Sequence, residues 1–428
     1  MSTPQKKVKA ESQENRKVLI ILSILHSVLL IFLTLWLLDQ NVTYGDEKAL
    51  IKWSTIIKKL VFKIDPKPAQ QELLFINTAY DISLIDKLDE NEFPVGFQTI
   101  TDRTKLAKLF EVINTGNFKP KYIICDIFFK DKSPDDSLLN SQISKIDNIV
   151  IPYHLKENNQ PNTPIFNVNK GLADYNIIED SFLKYSLLTK DSLESLPLVM
   201  YNNLYKSNFK KKNILYFLNN HLSFNTIVID FRVRYYDIQE GKSATPYPYV
   251  NLGEFLSLPD SIISQTIKDK IIVMGDLQDR DIHKTILGTM PGSMILLNVY
   301  LTLVNKENII NIFLLLILFL AYFFVSYDLF SKKNIKERKS VKVIMQYKFG
   351  KFFVNYLGYL LYLGILSTFL YILYNIHINI FILAVYLKII ELFINHFRTE
   401  KDKRDKKSFF KNIYKFRKEF IKVIKSQN

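Results

Sequence analysis

A single cysteine, Cys125, leaves the chain unable to form an internal disulfide, and no Cys/His cluster has the spacing of a structural zinc site. With 12 Gly and 14 Pro in 428 residues, collagen-like and other low-complexity classes are excluded. Neither G-x-S-x-G nor H-E-x-x-H occurs, so the common nucleophile and metalloprotease signatures are missing and no catalytic residue, metal site or cofactor is assigned. What is present is 48% hydrophobic residues, which rules out a disordered chain. The fold must therefore be held by packing, by a membrane or by a partner.

Four stretches are long and apolar enough to cross about 30 Å of hydrocarbon: residues 18–38, 309–327, 352–374 and 378–397. Asn375 to His377 leaves so short a turn between the last two that they are expected to form an antiparallel hairpin. Lys388 and Glu391 lie inside the fourth. They either pair across one helix turn, or Lys388 snorkels toward lipid phosphates where the span ends near Leu387.

The formal charge of +15 is confined to the segments between these spans and the chain ends. The leader 1–17 carries five basic residues against two acidic, the loop 328–351 eight against two, and the tail 398–428 twelve against four. The large segment between the first two spans is nearly neutral. Short cytoplasmic segments retain Lys and Arg, so four crossings put leader, loop and tail in the cytoplasm and residues 39–308 outside. Residues 18–38 read as an uncleaved signal anchor, because Asp39-Gln40-Asn41 supplies no small-residue cleavage site. Topology already accounts for the excess of basic residues, so no nucleic-acid partner is expected. In the tail, Ile413, Phe416, Phe420 and Ile424 repeat at helical spacing among Lys and Arg, a basic amphipathic pattern suited to membrane lipid. The abundance of Lys, Asn and Ile suggests an AT-rich bacterial genome, and hence an inner (cytoplasmic) membrane location with the large domain periplasmic or extracellular.

Within residues 39–308, five short apolar runs stand out: Leu73 to Asn77, Tyr122 to Phe129, Ile149 to Tyr153, Thr226 to Phe231 and Lys270 to Gly275. Being apolar on both alternating faces, they read as strands covered on two sides. The pattern over Asp102 to Asn114, with Thr101 or Asp102 as cap and Gly116 as stop, predicts a helix between strands. The expectation is an α/β exported domain with a mainly parallel sheet, plus four transmembrane helices.

The loop from Gly275 is the most distinctive piece. Gly275, Gly288, Pro291 and Gly292 mark tight turns, and Met294 to Leu303 resumes a helical pattern heading for the second span. Asp276, Asp279, Asp281 and His283 crowd three carboxylates and an imidazole into it. Such donors suit a cation, a ligand or a base oriented by an Asp, while turn capping is the plainer role of loop Asp residues. Asp126 and Asp230 interrupt apolar strands. Each is placed either to line a ligand crevice at strand ends or to pair with a neighbour such as Arg232 or Arg234.

The segment KDKIIVMGDLQDRDIHKTILGTMPGSMILLN resembles the closing signature of the CHASE type 2 domain, an extracellular sensory domain associated with cyclases and histidine kinases. YDI at Tyr80 to Ile82, YIICDIFF followed by SPDDSLL, and TIVIDFR at Thr226 to Arg232 fall in the order expected of that family. The resemblance spans roughly Leu73 to Val304. It implies an α/β ligand-sensing module outside the cytoplasm that takes an unknown small-molecule or protein ligand. Family members often carry a kinase, cyclase or phosphatase after their transmembrane hairpin, and here the basic tail stands in that place. The expectation is thus a receptor-like, non-enzymatic protein that signals through its helices and a membrane protein partner. The alternative is a membrane scaffold or assembly protein whose α/β domain is an interaction surface.

Overall fold

The computed structural model describes residues 4–40, 45–88, 93–174, 181–239, 241–243, 246–278, 280–331 and 358–399. The chain divides into two compact units, Asp39–Asn311 and, from its two ends, Met1–Leu38 with Ile312–Asn428.

In the larger unit, five strands run parallel in the order Tyr249–Asn251, Leu73–Asn77, Ile271–Gly275, Tyr122–Cys125, Ile149–Leu155. Lys170–Leu172 joins the last of these in parallel, and Pro161–Asn162 pairs with it antiparallel. The three middle strands are buried at every position, which is why they read as unbroken apolar runs. On one face, Leu74, Ile76, Ile123, Cys125, Ile272 and Met274 meet a helical layer built on Arg103–Thr115, Asp136–Ile143 and Asp260–Ile267. The alternate residues face helices Leu196–Tyr205 and Gly292–Val304. Mixed α/β architecture with a mainly parallel sheet is as expected. The helix foreseen after Thr101 runs over Arg103–Thr115, with the Asp102 carboxylate accepting from Lys105 N at 3.0 Å.

One expected strand lies elsewhere. Thr226–Val228 is outside the central sheet and pairs antiparallel with Lys184–Ser186. Past Ile229, whose N–H still donates to Leu183 O at 3.0 Å, backbone donors go to side chains: Asp230 N to Thr302 Oγ1 at 3.3 Å, and Arg232 N and Val233 N to Asn298 Oδ1 at 2.9 and 3.0 Å. A strand cannot continue when its ladder donors are spent in this way. The edge of the central sheet is instead taken by Tyr249–Asn251. A two-stranded hairpin, Ile82–Leu88 with Pro94–Thr101, stands apart and keeps Leu84 64% and Phe97 70% exposed.

Among the described residues of the smaller unit, two helices are long and apolar enough to cross a membrane, Arg16–Leu38 and Ile312–Phe330. They are joined by Thr34 Oγ1 to Tyr322 OH at 2.7 Å and His26 Nδ1 to Ser326 Oγ at 2.8 Å. The second begins later than the expected Ile309, because Ile309–Asn311 belong to the larger unit: Ile310 N donates to Leu222 O at 2.8 Å. Gly358–Tyr374 is a shorter apolar helix and Ile380–Thr399 a longer one. Asn375, at φ 56°, turns the chain between them. Lys388 Nζ donates to Glu391 Oε2 at 2.8 Å, the pairing arrangement of the two foreseen. Residues 332–357 and the Ile413 to Ile424 pattern lie outside the described residues.

Candidate functional site

The acidic loop begins where the Ile271–Gly275 strand ends. Asn77, at the end of the neighbouring strand, accepts from Ala79 N at 3.1 Å and Leu277 N at 3.0 Å, which sets the first turn. Asp276 Oδ1 accepts from Gln278 N at 3.0 Å, a local turn bond. Asp279 lies outside the described residues. Further on, Ile282–Thr285 and Gly288–Pro291 pair as a hairpin whose turn needs Gly288 at φ 111°. Gly292 and Gly275 serve a different purpose, that of close approach. A side chain at Gly292 would run into the Asp281 carboxylate, and one at Gly275 would lie 3.3 Å from Asp126 O and 3.4 Å from Ser293 Cβ.

Asp281 is the hub of the loop. Its carbonyl accepts from Gly292 N at 3.0 Å, its Oδ1 lies 2.7 Å from His283 Nε2, and the His283 ring meets Phe182 edge-on at 5.1 Å. Burial and the Asp281 carboxylate push Asp126 well above the usual carboxylate range. The fold thus brings Asp126, Asp281 and His283 to the N-terminus of helix Gly292–Val304. There the Ser293 hydroxyl is buried and, among the described residues, has no hydrogen-bond partner. Among the described residues, no three His, Cys, Asp or Glu side chains are grouped to hold a metal ion.

Because Asp126 titrates above its unfolded value, its ionisation opposes folding. The loss begins as pH rises past the unfolded pKa and is complete above the folded one. Asp126→Asn removes that group while Asp281 and His283 remain. The variant is expected to match the parent in melting temperature at about pH 4 and exceed it at about pH 9. Parallel pH profiles for the two proteins would show that Asp126 is not held protonated.

Asp230 is drawn into a separate, buried ion cluster. Its Oδ2 lies 3.1 Å from Lys58 Nζ and 3.3 Å from Arg232 Nε, and its Oδ1 lies 3.3 Å from Lys59 Nζ. Glu307 meets Arg232 Nη2 at 2.6 Å, and Asp65 meets Lys59 and Arg234 at 3.0 and 3.2 Å. Burial raises the Asp230 pKa, but Lys59, Lys58 and Arg232 together outweigh it and hold the group below its ordinary value. Lys58 and Lys59 both reach inward because they sit in a π-helical turn, Ile57–Val61, that widens the end of helix Gly45–Ile56.

Sequence reasoning missed Asn298, Thr302 and the two lysines. Asn298 is fully buried, accepts from Arg232 N and Val233 N, and donates to Val233 O at 2.8 Å and Met294 O at 2.9 Å. Its signal was available: it is a lone amide in the apolar stretch Met294 to Leu303. A cleft of about 450 Å³ lies beside the Tyr249–Asn251 strand, with Tyr235, Tyr247, Tyr249 and the loop residues Leu277 and Gln278 among its walls.

The α/β body is entered from one helix long and apolar enough to cross a membrane and left through another, an arrangement consistent with a membrane-anchored domain. The family model described as "CHASE2 domain" matches residues 19–327, and the chain belongs to this family of extracellular sensory domains. Comparison with curated proteins and with solved structures gives no match.

Proposed function

We propose that the protein is a four-span, receptor-like protein of a bacterial inner membrane. Its periplasmic or extracellular domain binds a ligand and signals through the transmembrane helices, with a membrane protein partner supplying any catalytic output. The observation that carries this reading is continuity along the chain. The loop holding Asp276, Asp281 and His283 passes at Gly292 into a helix that ends at Val304, and the apolar helix begins at Ile312. Asp126, Asp281 and His283 are the loop contacts through which occupancy is felt, and Asn298 and Thr302 bind that helix to the segment carrying Asp230. The basic leader, the loop 328–351 and the tail hold the cytoplasmic side, with Gly358–Tyr374 and Ile380–Thr399 as the remaining spans and the tail lying on anionic lipid.

The arrangement is tested with single cysteines in a Cys125→Ser background and a membrane-impermeant maleimide on intact cells. Ser207→Cys is expected to label, whereas Lys339→Cys and Lys415→Cys label only after the membrane is opened. Labelling at either lysine position in intact cells would end the reading.

The scaffold reading has one observation in its favour. In the hairpin register, Ile82, Leu84 and Phe97 share one exposed face, an apolar surface of the type used for protein contacts.

A further inference from the structure

The cleft beside the Tyr249–Asn251 strand has a chemistry of its own. Three aromatic rings, Tyr235, Tyr247 and Tyr249, supply its flat walls, and two amides, Gln239 and Gln278, supply polar groups. No Asp, Glu, Lys, Arg or His is among the described lining residues. Its volume of about 450 Å³ falls within the range of small-molecule sites, about 300–1,000 Å³. We propose that this cleft is a ligand site for an uncharged, polyhydroxylated molecule of sugar size. The proposal rests on the sensory reading above and goes on to name the place and the ligand class.

The rings are held as platforms. Tyr235 OH donates to Leu277 O at 2.8 Å and Tyr247 OH to Pro68 O at 2.8 Å, so both planes are fixed before anything binds. Gln278 is pinned in turn: its Nε2 donates to Tyr249 OH at 3.3 Å, and its Oε1 accepts from Tyr80 OH. Gln239 is different. Among the described residues its side-chain amide has no partner, leaving one donor pair and one acceptor free at the rim. Flat aromatic faces with a free amide at the edge match a molecule with C–H faces and hydroxyl edges.

Both signs of charge are disfavoured. The adjacent Tyr236 ring is already covered by Lys67 at 5.5 Å and Arg234 at 5.6 Å, so its face is not open to a cationic ligand. An anion would find no cationic group among the described lining residues, and the nearby Lys67 and Arg234 are already paired with Asp237 at 2.8 Å and Asp65 at 3.2 Å. A charged ligand would leave water without compensation.

The site also lies on the route to the helix. Leu277 and Gln278 follow Gly275 directly and precede Asp281, whose backbone carbonyl holds Gly292 N. A ligand bridging Gln239 and Gln278 therefore ties the sheet-edge segment to the acidic loop.

The test uses the full chain in nanodiscs, with glucose and maltose as neutral probes and glucuronate as the charged one. Tyrosine fluorescence and melting temperature are read over a concentration series. At least one neutral sugar is expected to bind with a rise in melting temperature, and glucuronate at least about tenfold more weakly. Gln239→Leu is expected to weaken the sugar at least about tenfold, with its melting temperature without sugar matching the parent's. Absence of binding by both neutral sugars overturns the proposal. So does glucuronate binding as tight as theirs, or unchanged affinity in Gln239→Leu. A second readout separates this proposal from the sensory reading: disulfide formation in Ser27→Cys/Ser326→Cys, whose native hydroxyl oxygens are 3.5 Å apart. Sugar binding that leaves the cross-linking rate unchanged supports the cleft as a site and counts against signalling. A rate altered by some other ligand while neither sugar binds preserves signalling and removes the sugar site.

Discussion

Asp230→Ala is expected to destabilise the larger unit by about 3–5 kcal/mol, the usual cost of removing one partner from a buried ion pair. Lys58, Lys59 and Arg232 all lie within 3.3 Å of this 1%-exposed carboxylate. Without it, Glu307 against Lys58 and Arg232, and Asp65 against Lys59, must answer charges that Asp230 now shares. The measurement is a denaturant or thermal melt of the full chain in detergent. Adding Lys59→Met to Asp230→Ala is expected to recover part of the loss, because a cation leaves along with the anion and the two sites couple. A single-mutant loss below about 0.5 kcal/mol, the scale of surface substitutions, would show that the cluster is hydrated and does little for the fold.

Asn298→Leu is expected to cost a comparable amount, about 3 kcal/mol, since each buried polar group left unsatisfied costs about 1–3 kcal/mol. The replacement is close in volume, so packing changes little. What disappears is an amide that closes the backbone of Arg232 and Val233 onto helix Gly292–Val304 by three bonds between 2.8 and 3.0 Å. Asn298→Asp is a useful comparison: it can still accept from Arg232 N and Val233 N but cannot donate to Val233 O, so its loss should be smaller unless the added charge dominates. Melting curves at two pH values separate these effects. If Asn298→Leu melts with the parent, the amide is not what fastens the helix.

How much of this was legible depends on the range of the interactions. The runs at Leu73, Tyr122 and Lys270 announced a two-sided sheet, because burial on both faces leaves no polar alternation to confuse them. The run at Thr226 is equally apolar, yet it is outside that sheet: Asp39 Oδ1 takes the N–H groups of Asn225 and Thr226 at 2.8 and 3.1 Å, and Asn298 takes those further on. Such captures join residues far apart in sequence and leave no local mark. The edge strand Tyr249–Asn251 was hidden by its brevity and by Pro246 and Pro248 just before it. At the candidate site, the density of Asp and His after Gly275 was visible, but the meeting of Asp126 with Asp281 is a product of tertiary structure. Lys58 and Asp230, 172 positions apart, read as ordinary charges until the fold brings them together.

The chain leaving the larger unit is tethered almost to its last residue. Phe224 N donates to Asn308 O at 2.9 Å, Asn308 Nδ2 donates to Ser223 Oγ at 2.8 Å, and Ile310 N donates to Leu222 O. A tether of this kind has no slack. Whatever displaces the segment around Leu222 must drag Asn311 with it, so the exit of this domain behaves as a taut cord rather than a loose leash.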